Sequence, residues 1–217
     1  MSTLPAPRIA RSELILGGQK SGKSSRAEML ARDWLAQSAS HRAVMIATAQ
    51  AWDDEMAQRI ARHQADRAQR VPGMTTVEEP LKLAEAIQTH SRADTLIVVD
   101  CLTLWLTNWR MPAEVELTTD TPAADGVQVD TSQGLIENQP VAQINQRHIA
   151  TLMEAIEQAP GPLVLVGNEI GLGVIPMGRE VRAFVDALGL LNQSVAATCQ
   201  RVTLMAAGLP LTLKDGS

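Results

Sequence analysis

Residues Gly17-Gly18-Gln19-Lys20-Ser21-Gly22-Lys23-Ser24 fill every fixed position of the pattern G-x-x-x-x-G-K-[ST], which describes a loop that wraps phosphate groups. Each residue type has a reason. Glycines let the backbone curl until successive N–H groups point inward at phosphate oxygens. Lys23 supplies a cation for the β- and γ-phosphates, and the Ser24 hydroxyl supplies an oxygen ligand for Mg²⁺. The loop works when a strand delivers it and a helix leaves it, because a helix N-terminus adds a partial positive charge of about half a unit. Leu14-Ile15-Leu16 before the loop and Ser25–Leu35 after it read as that strand and that helix. Asp100 ends the apolar run Thr95-Leu96-Ile97-Val98-Val99. An acid at the carboxyl end of a buried strand is placed to hold Mg²⁺ beside such a loop; the alternative is a cap for the helix that follows. Lys23 is therefore expected to be catalytic, and Ser24 and Asp100 to be the metal residues.

Three further groups of residues carry chemistry less specifically. Met56, Ile60 and His63 fall at i, i+4 and i+7, which puts the imidazole on the apolar face of its helix. Spacing alone leaves both a satisfied core histidine and a cleft-lining nucleophile open. His41, His90 and His148 have no such setting and read as surface residues. Asn168-Glu169-Ile170-Gly171-Leu172-Gly173 follows an apolar run and reads as a substrate loop, or as an ordinary turn before a helix. Thr48-Ala49-Gln50 ends another apolar run and either touches the nucleotide or leads into a helix. Cys101, within an apolar stretch, reads as core rather than nucleophile.

These residues need a frame that gathers strand ends along one edge. Apolar runs at Leu14–Leu16, Ala43–Ala47, Thr95–Asp100, Leu163–Gly167 and Val202–Met205, with a shorter one at Thr75–Glu78, read as strands. Between them, Ser24–Ala36, Asp53–Asp66, Glu79–Thr89, Leu102–Trp109, Val141–Ala159 and Glu180–Thr198 read as helices. Continuous apolar strands separated by helices predict a mostly parallel sheet covered on both faces. The fold class is therefore α/β and P-loop NTPase-like, as one domain over residues 1–217. Residues 1–11 read as a loose lead-in. Met111–Pro140, rich in Thr, Asp, Gln and Pro without periodicity, reads as an acidic, mobile surface insertion, or as a lid.

Composition excludes several function classes. A net charge of −5, with no Tyr and one Phe, argues against nucleic-acid partners, which need basic surfaces and stacking platforms. Two cysteines are too few for a disulfide framework and fit a reducing cytoplasm. The first residues do not resemble a signal peptide, and no apolar stretch reaches membrane-spanning length.

The motifs together resemble the bifunctional adenosylcobinamide kinase/adenosylcobinamide-phosphate guanylyltransferase family of cobalamin biosynthesis. The resemblance is carried by the phosphate loop, by Ile46-Ala47-Thr48-Ala49-Gln50, and by Asp53-Asp54-Glu55-Met56-Ala57-Gln58-Arg59-Ile60-Ala61-Arg62-His63. It continues through Thr76-Val77-Glu78-Glu79-Pro80-Leu81, Asp100-Cys101-Leu102-Thr103-Leu104-Trp105-Leu106-Thr107-Asn108, Asn168-Glu169-Ile170-Gly171-Leu172-Gly173, Gly189, Asn192-Gln193 and Gly208-Leu209-Pro210 with Lys214. The acidic block ending in His63 and the Asn-Glu-x-Gly-x-Gly block are the specific ones. The resemblance implies two reactions, phosphorylation of adenosylcobinamide by ATP or GTP and transfer of GMP from GTP to the product. It implies a guanylylated histidine at His63, and a nucleotide surrounded by the loop, Thr48, Ala49, Gln50, Gln64, Ala65, Asp66, Arg67, Glu78 and Asp100. It further implies Mg²⁺ as cofactor and a symmetric homo-oligomer such as a trimer. Imidazole, with an ordinary pKa of about 6.5, is largely neutral and nucleophilic near neutral pH. Two departures stand out: Ala68 follows Arg67 where relatives usually have proline, and Met74 stands where a tryptophan is usual. A kinase without guanylyl transfer and a nucleotide-dependent binding module are the competing readings.

Overall fold

The computed structural model describes residues 9–51, 54–110, 141–174 and 176–216. Seven strands and six helices alternate through them: β1 (Ser12–Gly17), α1 (Lys23–Gln37), β2 (Arg42–Ala47), α2 (Asp54–Arg70), β3 (Met74–Glu78), α3 (Leu83–His90), β4 (Thr95–Asp100), α4 (Leu102–Arg110), α5 (Val141–Gln158), β5 (Leu163–Val166), α6 (Arg179–Thr198), β6 (Arg201–Ala206) and β7 (Leu209–Asp215). The strands form one sheet in the order β3-β2-β4-β5-β1-β6-β7. Six are parallel, and β7 closes the edge antiparallel to β6. The carboxyl ends of β3, β2, β4, β5 and β1 therefore line up along one rim, as the expected fold requires.

Both faces of the sheet are covered, which is why the central strands carry no polar alternation. On one face Ile15, Met45, Val98 and Val164 pack with Ala27 and Leu30 of α1. On the other, Leu14, Ile97 and Leu165 pack with Leu83 and Ile87 of α3, Trp105 of α4, Leu152 and Ile156 of α5, and Leu191 of α6. Cys101 and Cys199 are buried free thiols. Burial raises the Cys101 pKa to about 11 and that of Cys199 to about 12, as a core role expects.

Several boundaries differ from the sequence expectation. Glu79–Lys82 is not helical, because Glu79 Oε1 accepts the backbone N–H groups of Leu81 and Lys82 at 3.0 and 2.8 Å and folds them into a turn. The indole N–H groups of Trp105 and Trp109 both donate to the Leu81 carbonyl and hold that turn against α4. α2 runs on to Arg70, four residues past the expected end. β7 was not expected at all; Ala207 and Gly208, at φ 51° and 81°, make a tight reversal of mirror-image type. Pro210 sits on that edge strand, where no ladder donor is missed. His41 and His148 are not simple surface residues: they stack on Trp34 and Trp109 at centroid distances of 3.7 and 3.8 Å. Residues 9–11 of the lead-in are anchored, with Arg11 donating to the Glu157 carbonyl and its backbone N–H to Gln200. The insertion expected at Met111–Pro140 lies outside the described residues.

Candidate active site on the sheet rim

The phosphate loop leaves β1 at Gly17, where an added Cβ would sit 2.5 Å from both the Met205 carbonyl oxygen and Ser21 Oγ. Only glycine tolerates that approach. Gly22, at φ 101°, then turns the chain into α1. The loop is propped from behind, since the Gly208 N–H donates to the Ser21 carbonyl at 3.0 Å. Lys23 is buried at the first turn of α1 and its Nζ donates to the Gly18 carbonyl at 2.6 Å. Burial pulls its pKa below the ordinary lysine value, against the opposing influence of Cys101 and Asp100. Lys23 Nζ thus reaches across the loop in a setting where charge is poorly screened.

Ser24 Oγ donates to Asp100 Oδ2 at 3.2 Å, joining the loop helix to the end of β4. A hydroxyl and a carboxylate at this separation are hard oxygen donors suited to Mg²⁺. No cluster of three or more His, Cys, Asp or Glu side chains that could hold a metal occurs among the described residues. The pair fits an ion that completes its shell from phosphate and water, as Mg²⁺ does.

Asp100 is fixed by a clamp that sequence reasoning did not identify. The fully buried Thr48 hydroxyl donates to the Cys101 carbonyl at 2.7 Å and accepts the Cys101 N–H at 2.9 Å. The Thr48 N–H donates to the Asp100 carbonyl. Asn108, buried on α4, donates to the carbonyls of Thr48 and Pro80 at 2.8 and 3.0 Å. Thr48 thus faces inward, behind Asp100. Its neighbours Ala49 and Gln50 face the other way.

Those two line a cleft of about 420 Å³ between the ends of β2 and β3 and one face of α2. Ala57, Ile60 and Ala61 form the helical wall. Gln64 Nε2 donates to Glu78 Oε1 at 2.8 Å across it. Ala47 pairs in register with both Glu78 and Asp100, so the cleft adjoins Asp100. Of the four positions following His63, only Gln64 reaches the cleft. Ala65 and Asp66 are exposed, and Asp66 lies 3.9 Å from Arg70. Arg67 is buried and turns to Glu28 of α1 at 4.0 Å and Thr76 at 3.5 Å. Arg70 adds a 3.2 Å ion pair to the same Glu28. α2 is thereby fastened to the helix that begins at Lys23. Helical spacing places position 63 between Ile60 and Arg67 on one stripe; the expectation for its imidazole falls on a side chain outside those described.

The loop after β5 sits against the phosphate loop, with the Glu169 N–H donating to the Gly17 carbonyl at 3.1 Å. The Asn168 N–H donates to Thr103 Oγ1 at 2.8 Å. Glu169 Oε1 accepts the Gly171 N–H, and Asn192 donates to the Asn168 carbonyl. Sequence reasoning gave Glu28, Thr103, Asn108 and Asn192 no positioning role, although the last three stand in the blocks that carry the family resemblance.

A glycine loop closing on a buried lysine, with a serine and a strand-end aspartate in contact on a parallel sheet, defines a P-loop protein that handles nucleoside triphosphates. The chain belongs to the CobU family, cobinamide kinase / cobinamide phosphate guanyltransferase, which it matches over residues 13–213. It is 42% identical over 203 residues to the bifunctional adenosylcobalamin biosynthesis protein CobP of Pseudomonas aeruginosa, covering 93% of this chain and 96% of that one. It is 33% identical over 201 residues to the CobU protein of Escherichia coli K12, covering 93% and 98%. Among solved structures it is similar to the flagellar accessory protein FlaH of Methanocaldococcus jannaschii, at a TM-score of 0.46 and 12% identity over 96% of this chain and 80% of that one. The chain is thus an enzyme of a kinase and nucleotidyltransferase family. No helix among the described residues is long and apolar enough to cross a membrane.

Proposed function

We propose that the chain phosphorylates the aminopropanol hydroxyl of adenosylcobinamide with a nucleoside triphosphate. It then transfers GMP from GTP to that phosphate through a guanylyl group carried on His63. The observation that supports this best is the Ser24–Asp100 contact at 3.2 Å beside the buried Lys23, with the α2 cleft adjoining it. Mg²⁺, when bound at Ser24 and Asp100, would offset charge on the phosphates of either reaction. Lys23 would turn from the Gly18 carbonyl to the terminal phosphates. The loop N–H groups would hold the remaining oxygens in line for displacement.

In the second reaction the neutral imidazole attacks the α-phosphorus, a P–N bond forms, and the α–β P–O bond breaks to release pyrophosphate. An oxygen of adenosylcobinamide phosphate next attacks the same phosphorus. The P–N bond breaks, adenosylcobinamide-GDP leaves, and the imidazole is restored. The cleft walled by Ala49, Gln50 and Ile60 would take the nucleoside, with Gln64 and Glu78 as its polar groups. The buried free thiols support a reducing cytoplasmic setting. The family likeness supports a homo-oligomer, which sedimentation would count.

The test is mass spectrometry after incubation with GTP labelled at the α-phosphate. The wild-type chain acquires an acid-labile GMP adduct on the α2 peptide. His63→Ala loses the adduct and retains kinase product. Guanylyl transfer surviving in His63→Ala would overturn the assignment, and a wild type with kinase product but no adduct would leave a kinase alone.

A further inference from the structure

The rim holds a second hollow that the nucleotide chemistry does not use. It measures about 590 Å³ and lies between the loop after β5 and one side of α6, lined by Ile170, Gly173, Val174, Val185, Gly189 and Leu190 among others. Its volume falls within the roughly 300–1,000 Å³ typical of small-molecule sites. Of the lining, Val174 and Leu190 are 96 and 63% exposed, and Leu172 and Met177, close to it in sequence, are 80 and 96% exposed. Single exposed apolar residues mean little, but a contiguous group beside an active site marks a binding surface.

Its placement restricts the occupant. The hollow begins at Gly171, whose N–H is held by Glu169, and the Glu169 N–H is held by Gly17 of the phosphate loop. The small cleft lies at β2 and β3, on the other side of β4 and its Asp100. A nucleoside seated there leaves the β5 side open to whatever receives the phosphate. Charge restricts it further. The Arg182 guanidinium is turned to the carbonyls of Pro176 and Met177, so it closes the loop rather than offering a free cation. Asp186 and Gln193 complete a lining with little net charge. The occupant should be bulky, apolar-faced and fringed with neutral hydrogen-bonding groups. A corrin macrocycle with carboxamide side chains has that chemistry.

Gly189 adds an independent observation. Glycine inside a helix costs about 1 kcal/mol relative to alanine, yet a Cβ at Gly189 would meet nothing within 4 Å. No crowding among the described residues requires glycine there. Its effect is to keep the wall of the hollow open.

We propose that this hollow and its apolar margin form the acceptor platform, on which the corrin ring rests with its aminopropanol arm reaching over the β5 loop to the phosphate loop. The assignment rests on the function proposed above for the substrate's identity. The test measures adenosylcobinamide binding by equilibrium dialysis, and in parallel GMP labelling from GTP, which needs no corrinoid. Gly189→Leu fills the hollow with a better helix former, and Val174→Asp charges its exposed margin; neither removes a core contact. In both, adenosylcobinamide binding should weaken at least about tenfold, equivalent to about 1.4 kcal/mol, while GMP labelling stays at the wild-type level. Unchanged corrinoid affinity in both variants overturns the platform. So does unchanged affinity with an altered oligomeric state, which would give this face to a second copy of the chain. Weakened binding in variants of a chain that never acquires GMP would uphold the platform and sink the transferase reading instead.

Discussion

The two ends of the catalytic rim are built differently. At the β1–β4 end, Lys23 is tied back to Gly18 of its loop, and Ser24, Asp100, Thr48 and Asn108 are linked by hydrogen bonds that cross from loop helix to strand to helix. At the β2–β3 end, the cleft is walled by alanines and one isoleucine, and its polar pair, Gln64 and Glu78, lies near solvent. The helix forming that wall is tied to α1 through Arg67, Arg70 and the buried Glu28. Developing phosphate charge is stabilised best by groups that need not reorganise, so the first end is wired in place. The second has a different task. On the reading above, it takes a nucleoside and presents a nucleophile from the same helix.

The sharpest way to break the contrast is at Lys23. Lys23→Ala should lower both reactions by about 10³-fold or more, as loss of a preorganised charge does, measured as initial rates of kinase product and of GMP labelling. Next is the tie between the ends. Glu28→Ala should lower unfolding free energy by about 1–3 kcal/mol, the cost of leaving a buried polar partner, here Arg67, unsatisfied, in denaturant titrations. It should also reduce GMP labelling more than kinase rate, because the kinase reaction does not call on α2 for a nucleophile. An equal loss of both would show that the tie is only structural. Thr48→Val keeps shape but strands the buried Cys101 N–H, at about 1–3 kcal/mol; here the kinase should suffer along with labelling, since Asp100 loses its clamp.

The smallest effect tests a control region away from the rim. Burial against Trp109 lowers the His148 pKa, opposed by Glu85. The unfolded chain, near 6.5, therefore takes up this proton first as pH falls. The neutral ring's contribution is complete above that value and is lost as pH drops through it towards the native pKa. His148→Asn should flatten the fall in Tm between pH 7.5 and 5 slightly, with no change in either activity.

What the sequence made legible follows the same divide. The phosphate loop, its strand and helix, and Asp100 are local signals, and the structure brings Ser24 and Asp100 into contact as spacing could only suggest. Every strand with a continuous apolar run was readable, because burial on both faces leaves no ambiguity of phase. The β7 strand was not: its alternation of leucine and polar residues is short, and its turn lacks the usual Asn-Gly or Asp-Gly signature. The start of α3 was misplaced because the Glu79 side chain competes for N–H groups that a helix would otherwise leave free. Glu28, Thr48 and Asn108 act through partners 28 to 60 residues away, and no local pattern announces such pairings. The two tryptophan–histidine stacks were hidden for the same reason.

The reversal at Ala207 and Gly208 props the phosphate loop through the Gly208 N–H. A side chain at Gly22 would be strained at φ 101° and would press its Cβ to 3.2 Å from the Cα of Gly208. The sheet's outermost, antiparallel ribbon is therefore mechanically continuous with the part of the molecule that grips triphosphate. Tightening that grip should stiffen the ribbon, and a mutation that frays the ribbon should be felt by a ligand it never touches.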